Sequence, residues 1–163
     1  MNDDNTVQLE AAVLSFKKMR LGTFEMDYPF IDGQDVFILE SDGMIVPVKW
    51  SATPYQCMMH HHGVVFLDVE AALAARDKRL LLVSINEFRK LRNDGWEPSF
   101  GGASLKDAEP KWCIGFLDGD LFDRMDVTNC FFPMFGYFKN RDDARMAIML
   151  FGKEIKRLFC GEL

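Results

Sequence analysis

The residues best suited to metal chemistry in this 163-residue chain are three adjacent histidines and the cysteine before them. Cys57 and His60 form a Cys-x-x-His pair, which is half of the ligand set of a tetrahedral zinc site. On a strand, His60 and His62 would point to one face and His61 to the other. Cys130 holds the matching place in a second, similar stretch. The sequence thus offers four candidate metal ligands: Cys57, His60, His62 and Cys130.

An alternative interpretation makes the histidines part of a polar connecting segment that binds nothing. In the second stretch, Pro133, Met134 and Phe135 stand where the first stretch carries its histidines. A fold that appears twice therefore does not require ligands at this place. We expect no cofactor and no catalytic residue, and keep the metal site as an alternative.

Other catalytic and binding motifs are missing from the sequence. The run that begins at Asp118 starts like a calcium-binding loop, but Phe122, Asp123 and Asn129 stand where a ligand, a glycine and a glutamate are required. A hairpin turn explains these residues better. The chain also lacks the nucleophile elbow, the phosphate-binding loop and the dinucleotide-binding fingerprint. These absences lower the expectation of an enzyme.

The elements that would carry these residues are repeated along the chain. The spacing from Cys57 to Gly63 equals that from Cys130 to Gly136. Each glycine is followed by a phenylalanine, which is one residue closer in the second stretch. From the phenylalanine onward, a helix-capping residue and a pair of alanines follow at the same spacing in both stretches. An Asp-Gly step precedes each stretch. This agreement over two separate stretches indicates a unit that occurs twice.

The repeat predicts an α+β fold of two pseudo-repeated units, at about 35–92 and 111–160. Each unit consists of antiparallel strands followed by an amphipathic helix. A segment rich in Gly and Pro, 93–110, links them. A further amphipathic helix is expected at 6–20. The whole chain, 1–163, would form a single domain, since its length and its 48% hydrophobic content suffice for one core.

In the first unit, apolar β-formers on both sides of Asp42-Gly43 predict a hairpin. Pro47 cannot donate to a neighbouring strand, so its strand should lie at a sheet edge. Residues 51–56 have the composition of a loop, and 64–66 that of a third strand.

The helix of the first unit is expected at 69–92, with Asp68 as its N-cap. No Pro or Gly interrupts it, so we predict one long helix. The alternative is a pair of helices that meet near Ser84, which could open a capping box.

The second unit repeats this plan, with strands expected at 112–116, 121–127 and 131–138. Asn140 would cap a helix whose apolar residues recur at helical spacing up to Phe159. Gly152 within that helix suggests a close contact between helix and sheet.

Charge and composition restrict the partners. The formal net charge of −6 argues against general binding to nucleic acid, which needs a basic surface. No apolar run is long enough for a membrane span. The N-terminus is acidic where a secretory signal would be basic. We therefore expect a cytoplasmic protein with reduced thiols.

From about residue 35 to residue 160, the order of these features resembles small uncharacterised proteins of bacteriophages, prophages and other mobile elements. The shared motifs are the Asp-Gly hairpin, the stretch from Gly63 to Ala72, Trp96-Glu-Pro, the stretch from Gly136 to Ala144, and Phe151 to Phe159. The triple histidine is not part of that pattern. The resemblance implies no reaction, cofactor or catalytic residue.

Together these observations predict a non-enzymatic accessory protein that acts by binding another protein. The resemblance implies that this partner is a host factor, with interference in a host defence or nucleic-acid machine as the outcome. Two alternatives remain: a metalloprotein or enzyme built around Cys57 and His60–His62, and a small-ligand binder with its pocket between the two units.

Overall fold

The computed structural model describes residues 28–100, 109–127 and 132–161. The helix predicted at 6–20 lies outside this range. The described residues form an α+β fold with two small antiparallel sheets and three helices. The elements are β1 (Asp35–Leu39), β2 (Ile45–Lys49), α1 (Pro54–His61), β3 (Val65–Phe66), α2 (Val69–Asn93), β4 (Lys111–Leu117), β5 (Asp120–Asp126) and α3 (Arg141–Ile155), which continues into a π-helical turn, Lys156–Cys160.

The first sheet has the strand order β2-β1-β3. Its hairpin closes at Asp42-Gly43, where Gly43 adopts a φ of +88° that favours glycine. The Asp42 carboxylate accepts a hydrogen bond from the Met44 amide, at 2.9 Å. Pro47 lies opposite Phe37 on β2, an outer strand of the sheet. The predicted hairpin and the predicted edge position are both confirmed.

Helix α1 is not among the predicted elements, because residues 51–56 have the composition of a loop and the histidines that of a polar connecting segment. Pro54 occupies the first turn, where its missing N–H costs nothing. The Thr53 hydroxyl accepts from the Gln56 amide, and the Gln56 side chain accepts from the Thr53 amide. This reciprocal pair is a capping box that starts a helix at Pro54.

The second sheet is the hairpin of β4 and β5. Asp118 and Gly119 both have positive φ, the geometry of a tight turn between twisted strands. The strand expected at 131–138 is wrong for the part that the structure describes. Only Phe138 pairs there, through two backbone hydrogen bonds with Trp112. Pro133 lacks an N–H to donate, and the Gly136 amide bonds back to the Pro133 carbonyl to form a turn.

Helix α2 is continuous over its 25 residues, as predicted. The Asp68 carboxylate accepts from the Ala71 amide at 2.6 Å and so caps its start. The alternative break near Ser84 does not occur, because the Ser84 hydroxyl donates to the Leu80 carbonyl within the same helix. Asp94, with a φ of +48°, ends it.

The largest cluster of the core joins α2, β4 and α3. Its buried members are Leu81, Ile85, Ile114, Phe138, Ala144, Ala147, Ile155 and Leu158. A Cβ at Gly152 would lie 3.4 Å from the side chain of Leu121 on β5. The close approach of helix and sheet expected at this glycine is therefore present.

Candidate functional site

The candidate metal ligands lie on and after α1 instead of on a strand. Successive residues of a helix are rotated by roughly 100°, so His60 and His62 point in different directions. The shared face that a strand would have given them is therefore absent. Cys57 makes a local contact, in which its sulfur lies 3.4 Å from the Ala52 carbonyl oxygen. Cys130 lies outside the described residues.

His60 packs into a cluster of aromatic rings at the start of the described chain. The centre of its ring lies 5.5 Å from that of Tyr28 and 5.3 Å from that of Phe30, and Trp50 is 6.2 Å away. Its Nδ1 is buried and has no hydrogen-bond partner among the described residues. Burial, and then the neighbouring His61, lower the pKa of His60. This histidine acts as a packing residue that holds α1 on the first sheet.

We expect the stability of the protein to fall as the pH drops below about 6.5, the pKa of an unfolded-chain histidine. In that range the unfolded chain takes up a proton at His60 that the folded chain, with its lower pKa, resists. The loss should be complete once the pH lies below the folded-state pKa. Urea unfolding at several pH values measures the slope. H60F should flatten it, whereas H62Q should not. Equal slopes for H60F and the wild type would contradict this account.

The structure does not bring a metal-ligand set together. Within the described part of the chain, no group of three or more His, Cys, Asp or Glu side chains could hold a metal ion. His62 instead lines a separate cavity of about 380 Å³, together with residues that include Glu40, Tyr55 and Arg79. There the Tyr55 hydroxyl donates to Glu40 at 2.7 Å, which raises the pKa of Tyr55.

A larger groove, of about 480 Å³, lies between α2 and the 133–136 turn. It thus lies between the first and second predicted units, which is where the small-ligand alternative places its pocket. Its lining is mostly apolar, with one amide and one cation: Leu82, Val83, Ile85, Asn86, Arg89, Pro133, Met134, Phe135 and Gly136.

Arg89 is held in this groove by packing. A Cβ on Gly136 would lie 2.9 Å from the Arg89 guanidinium carbon, so only glycine allows the guanidinium to lie this close to the turn. One guanidinium nitrogen donates to the Asn86 side-chain oxygen at 2.7 Å. The Arg89 Nε is buried and has no hydrogen-bond partner among the described residues.

The end of α2 is clamped to the segment before α3, which fixes the two walls of the groove. The buried Asn93 side chain donates to the Tyr137 carbonyl at 2.9 Å and accepts from the Lys139 amide at 3.0 Å. Beside it, Arg92 lies 2.5 Å from the buried carboxylate of Asp143. Side-chain bonds thus hold both flanks of Phe138.

A buried polar cluster, which was not predicted from the sequence, supports the other end of the segment before α3. Lys111 and Asp126 face each other across β4 and β5, and both are buried. The Tyr137 hydroxyl donates to Asp126 at 2.5 Å, and burial followed by this hydrogen bond raises the pKa of Tyr137. Cys113 lies on the same face of β4 as Lys111, and burial raises its pKa to about 11. In the sequence, the one indication of this cluster is Lys111, a charged residue at the start of an apolar strand.

Comparisons with known proteins found no match from which a family or function could be assigned: no protein-family model, curated protein or solved structure matches this chain. Among the helices that the structure describes, none combines the length and the apolar character needed to cross a bilayer.

Proposed function

We propose that this protein acts without catalysis, by binding another protein through the outer surface of α2. The observation that supports this proposal is that α2 is apolar on both sides. Its inner side buries Leu81 and Ile85 to 7% and 1% exposure. Its outer side exposes Leu80, Val83 and Leu91 by 60%, 59% and 77%.

The exposed apolar residues of α2 lie along one side of the helix. Leu80, Val83 and Leu91 are separated by three and eight residues, so they lie on one side of the helix. Over these residues the surface extends about 16 Å along the axis. Val83 also lines the groove beside it. Leu80 and Val83 form an apolar strip that continues into this groove, while the exposed Glu87–Lys90 ion pair separates them from Leu91. Exposed apolar residues that border a groove are the kind of surface that binds a partner protein.

We also propose that the chain is a tandem duplication. What supports this is that each hairpin is followed by a segment that pairs with its first strand, β3 with β1 and Phe138 with Trp112 on β4. A helix then follows in both cases. The resemblance of residues 35–160 supports an accessory protein of a phage or mobile element. On that proposal the partner is a host protein of a defence or nucleic-acid machine.

The test compares capture of partner proteins by the wild type and by surface variants. L80E and V83E should lose the partner that the wild type retains, because each places a charge in the apolar strip. M44E, which alters an exposed methionine on the first hairpin, is the matched control and should retain it.

Unfolding measurements on the same variants complete the test. L80E and V83E should leave the free energy of unfolding within about 0.5 kcal/mol of the wild type, as surface changes do. A larger loss would mean that another part of the chain covers this side of α2. Retention of the same partner by both variants would equally contradict the proposal.

A second candidate function is suggested by the groove itself, whose volume falls in the range of small-molecule sites. On this alternative a small ligand would fill the space between α2 and the 133–136 turn. Thermal-shift screening would then find a compound that stabilises the wild type and no longer stabilises V83E.

A further inference from the structure

We infer that the groove between α2 and the 133–136 turn takes a segment of the partner protein that carries a carboxylate among apolar residues, with Arg89 as the group that binds the carboxylate. The inference rests on the proposed function and specifies the chemistry of the partner. It starts from the pairing of the arginines. Arg92 contacts Asp143, and Arg141 contacts Asp123. Among the described residues, Arg89 forms no ion pair and bonds only to a neutral amide.

A cation with one buried nitrogen and no carboxylate is costly, because its lost hydration is not replaced. An anion that binds in the groove would offset the charge of the guanidinium. Arginine suits this role, since its planar group offers two parallel donors to a carboxylate. The contact with Gly136 and the bond to Asn86 already hold the guanidinium in place. Little side-chain freedom is therefore lost on binding.

The surroundings of Arg89 favour a peptide segment over a small carboxylate. Val83 and Met134, on opposite walls of the groove, both expose more than half of their side-chain surface. Outside the groove, Leu80 and Leu91 on α2 and Phe132 before the turn also expose more than half of their surface. A small molecule would fill the cavity and leave these residues in water. A peptide segment would cover them as well.

The net charge of −6 makes the position of this cation significant. An acidic partner is repelled by the protein as a whole, so a local positive charge in an apolar groove determines where such a partner can bind. The same repulsion acts against acidic segments that do not reach Arg89. Specificity then comes from the match of one carboxylate to one guanidinium.

The test selects a displayed library of random dodecapeptides against the whole wild-type protein. We expect the selected peptides to carry Asp or Glu between apolar residues, and to bind R89Q at least about tenfold more weakly, because a charge-assisted hydrogen bond is lost. R79Q changes an arginine that lines the other cavity and should bind as the wild type does. Changing the acidic residue of the peptide to its amide should weaken binding to the wild type equally, and leave binding to R89Q unchanged.

The outcomes separate this inference from the proposed function. Peptides that V83E no longer binds, but that carry no acidic residue, would overturn the role of Arg89 and leave the proposed function standing. Peptides that bind V83E and R89Q as tightly as the wild type would overturn both. Selection of no peptide, together with octanoate binding that R89Q loses, would show a small-carboxylate site and overturn the inference. The peptide-side change needs no altered protein, so the test holds even if R89Q folds poorly.

Discussion

Replacing Asp126 with Asn is expected to lower the free energy of unfolding by about 3–5 kcal/mol, the largest loss among the substitutions considered. Asp126 and its cross-strand neighbour Lys111 are both buried, so we expect the lysine to depend on the negative charge of this carboxylate. Asn keeps the size of the side chain but removes the negative charge. The Tyr137 hydroxyl would also exchange a charged acceptor for a neutral one.

Urea unfolding followed by tryptophan fluorescence measures this loss. The control is D120N at the other end of β5, where the carboxylate is 87% exposed and pairs with Lys156 at 2.9 Å. A surface ion pair contributes little, so D120N should change the stability by less than about 1 kcal/mol. Equal midpoints for D126N and D120N would show that Lys111 does not depend on Asp126.

The second large effect is expected for Asn93→Ala, with a loss of about 2–4 kcal/mol. The substitution removes both hydrogen bonds that hold the flanks of Phe138 and leaves the Tyr137 carbonyl and the Lys139 amide without their partner. A buried backbone group left unsatisfied, here the Tyr137 carbonyl, costs about 1–3 kcal/mol, and the part-buried Lys139 amide adds a smaller loss.

The matched control for this clamp is S84A on the same helix. The Ser84 hydroxyl also donates to a backbone carbonyl, but it is exposed, and water can replace it. Its loss should change the unfolding midpoint little. Hydrogen exchange would show the location of the effect, with faster exchange in N93A at the Phe138 amide. An unchanged exchange rate there would contradict the clamp.

The parts of the fold that follow from local chemistry could be predicted from the sequence. The turns at Asp42-Gly43 and Asp118-Gly119 depend on positive φ, which these residue types accept. The long helix α2 needs only an uninterrupted run and the cap at Asp68. In each case the determining residues are neighbours in the sequence, so no tertiary contact has to be known.

Helix α1 could not be predicted from hydrophobic periodicity. Its start is determined by the capping box of Thr53 and Gln56 and by Pro54, while the histidines that follow offer no apolar pattern. The capping box can be recognised in the sequence, but it stands next to Cys57 and the histidines, whose residue types indicate a metal site instead. Their spacing brings His60 and His62 together on a strand and separates them on a helix.

The groove, the clamp and the buried cluster could not be predicted, because each depends on residues far apart in the chain. Asn93 bonds to Lys139, 46 positions away, and appeared in the sequence only as the first residue of a linker. Lys111 appeared as a polar residue at the head of a strand. Arg89 is held against Gly136, and the two residues are far apart in the sequence. The composition and spacing of the sequence carry no information about these tertiary contacts.

The burial of Cys113 makes its thiol unreactive in the folded protein. Its side chain has no exposed surface, and its raised pKa, about 11, keeps the sulfur protonated at neutral pH. Alkylating reagents attack the thiolate, so this position stays inert while β4 and β5 remain paired. Mass-spectrometric timing of its carbamidomethylation would then count spontaneous openings of that hairpin, using an atom that the protein already carries.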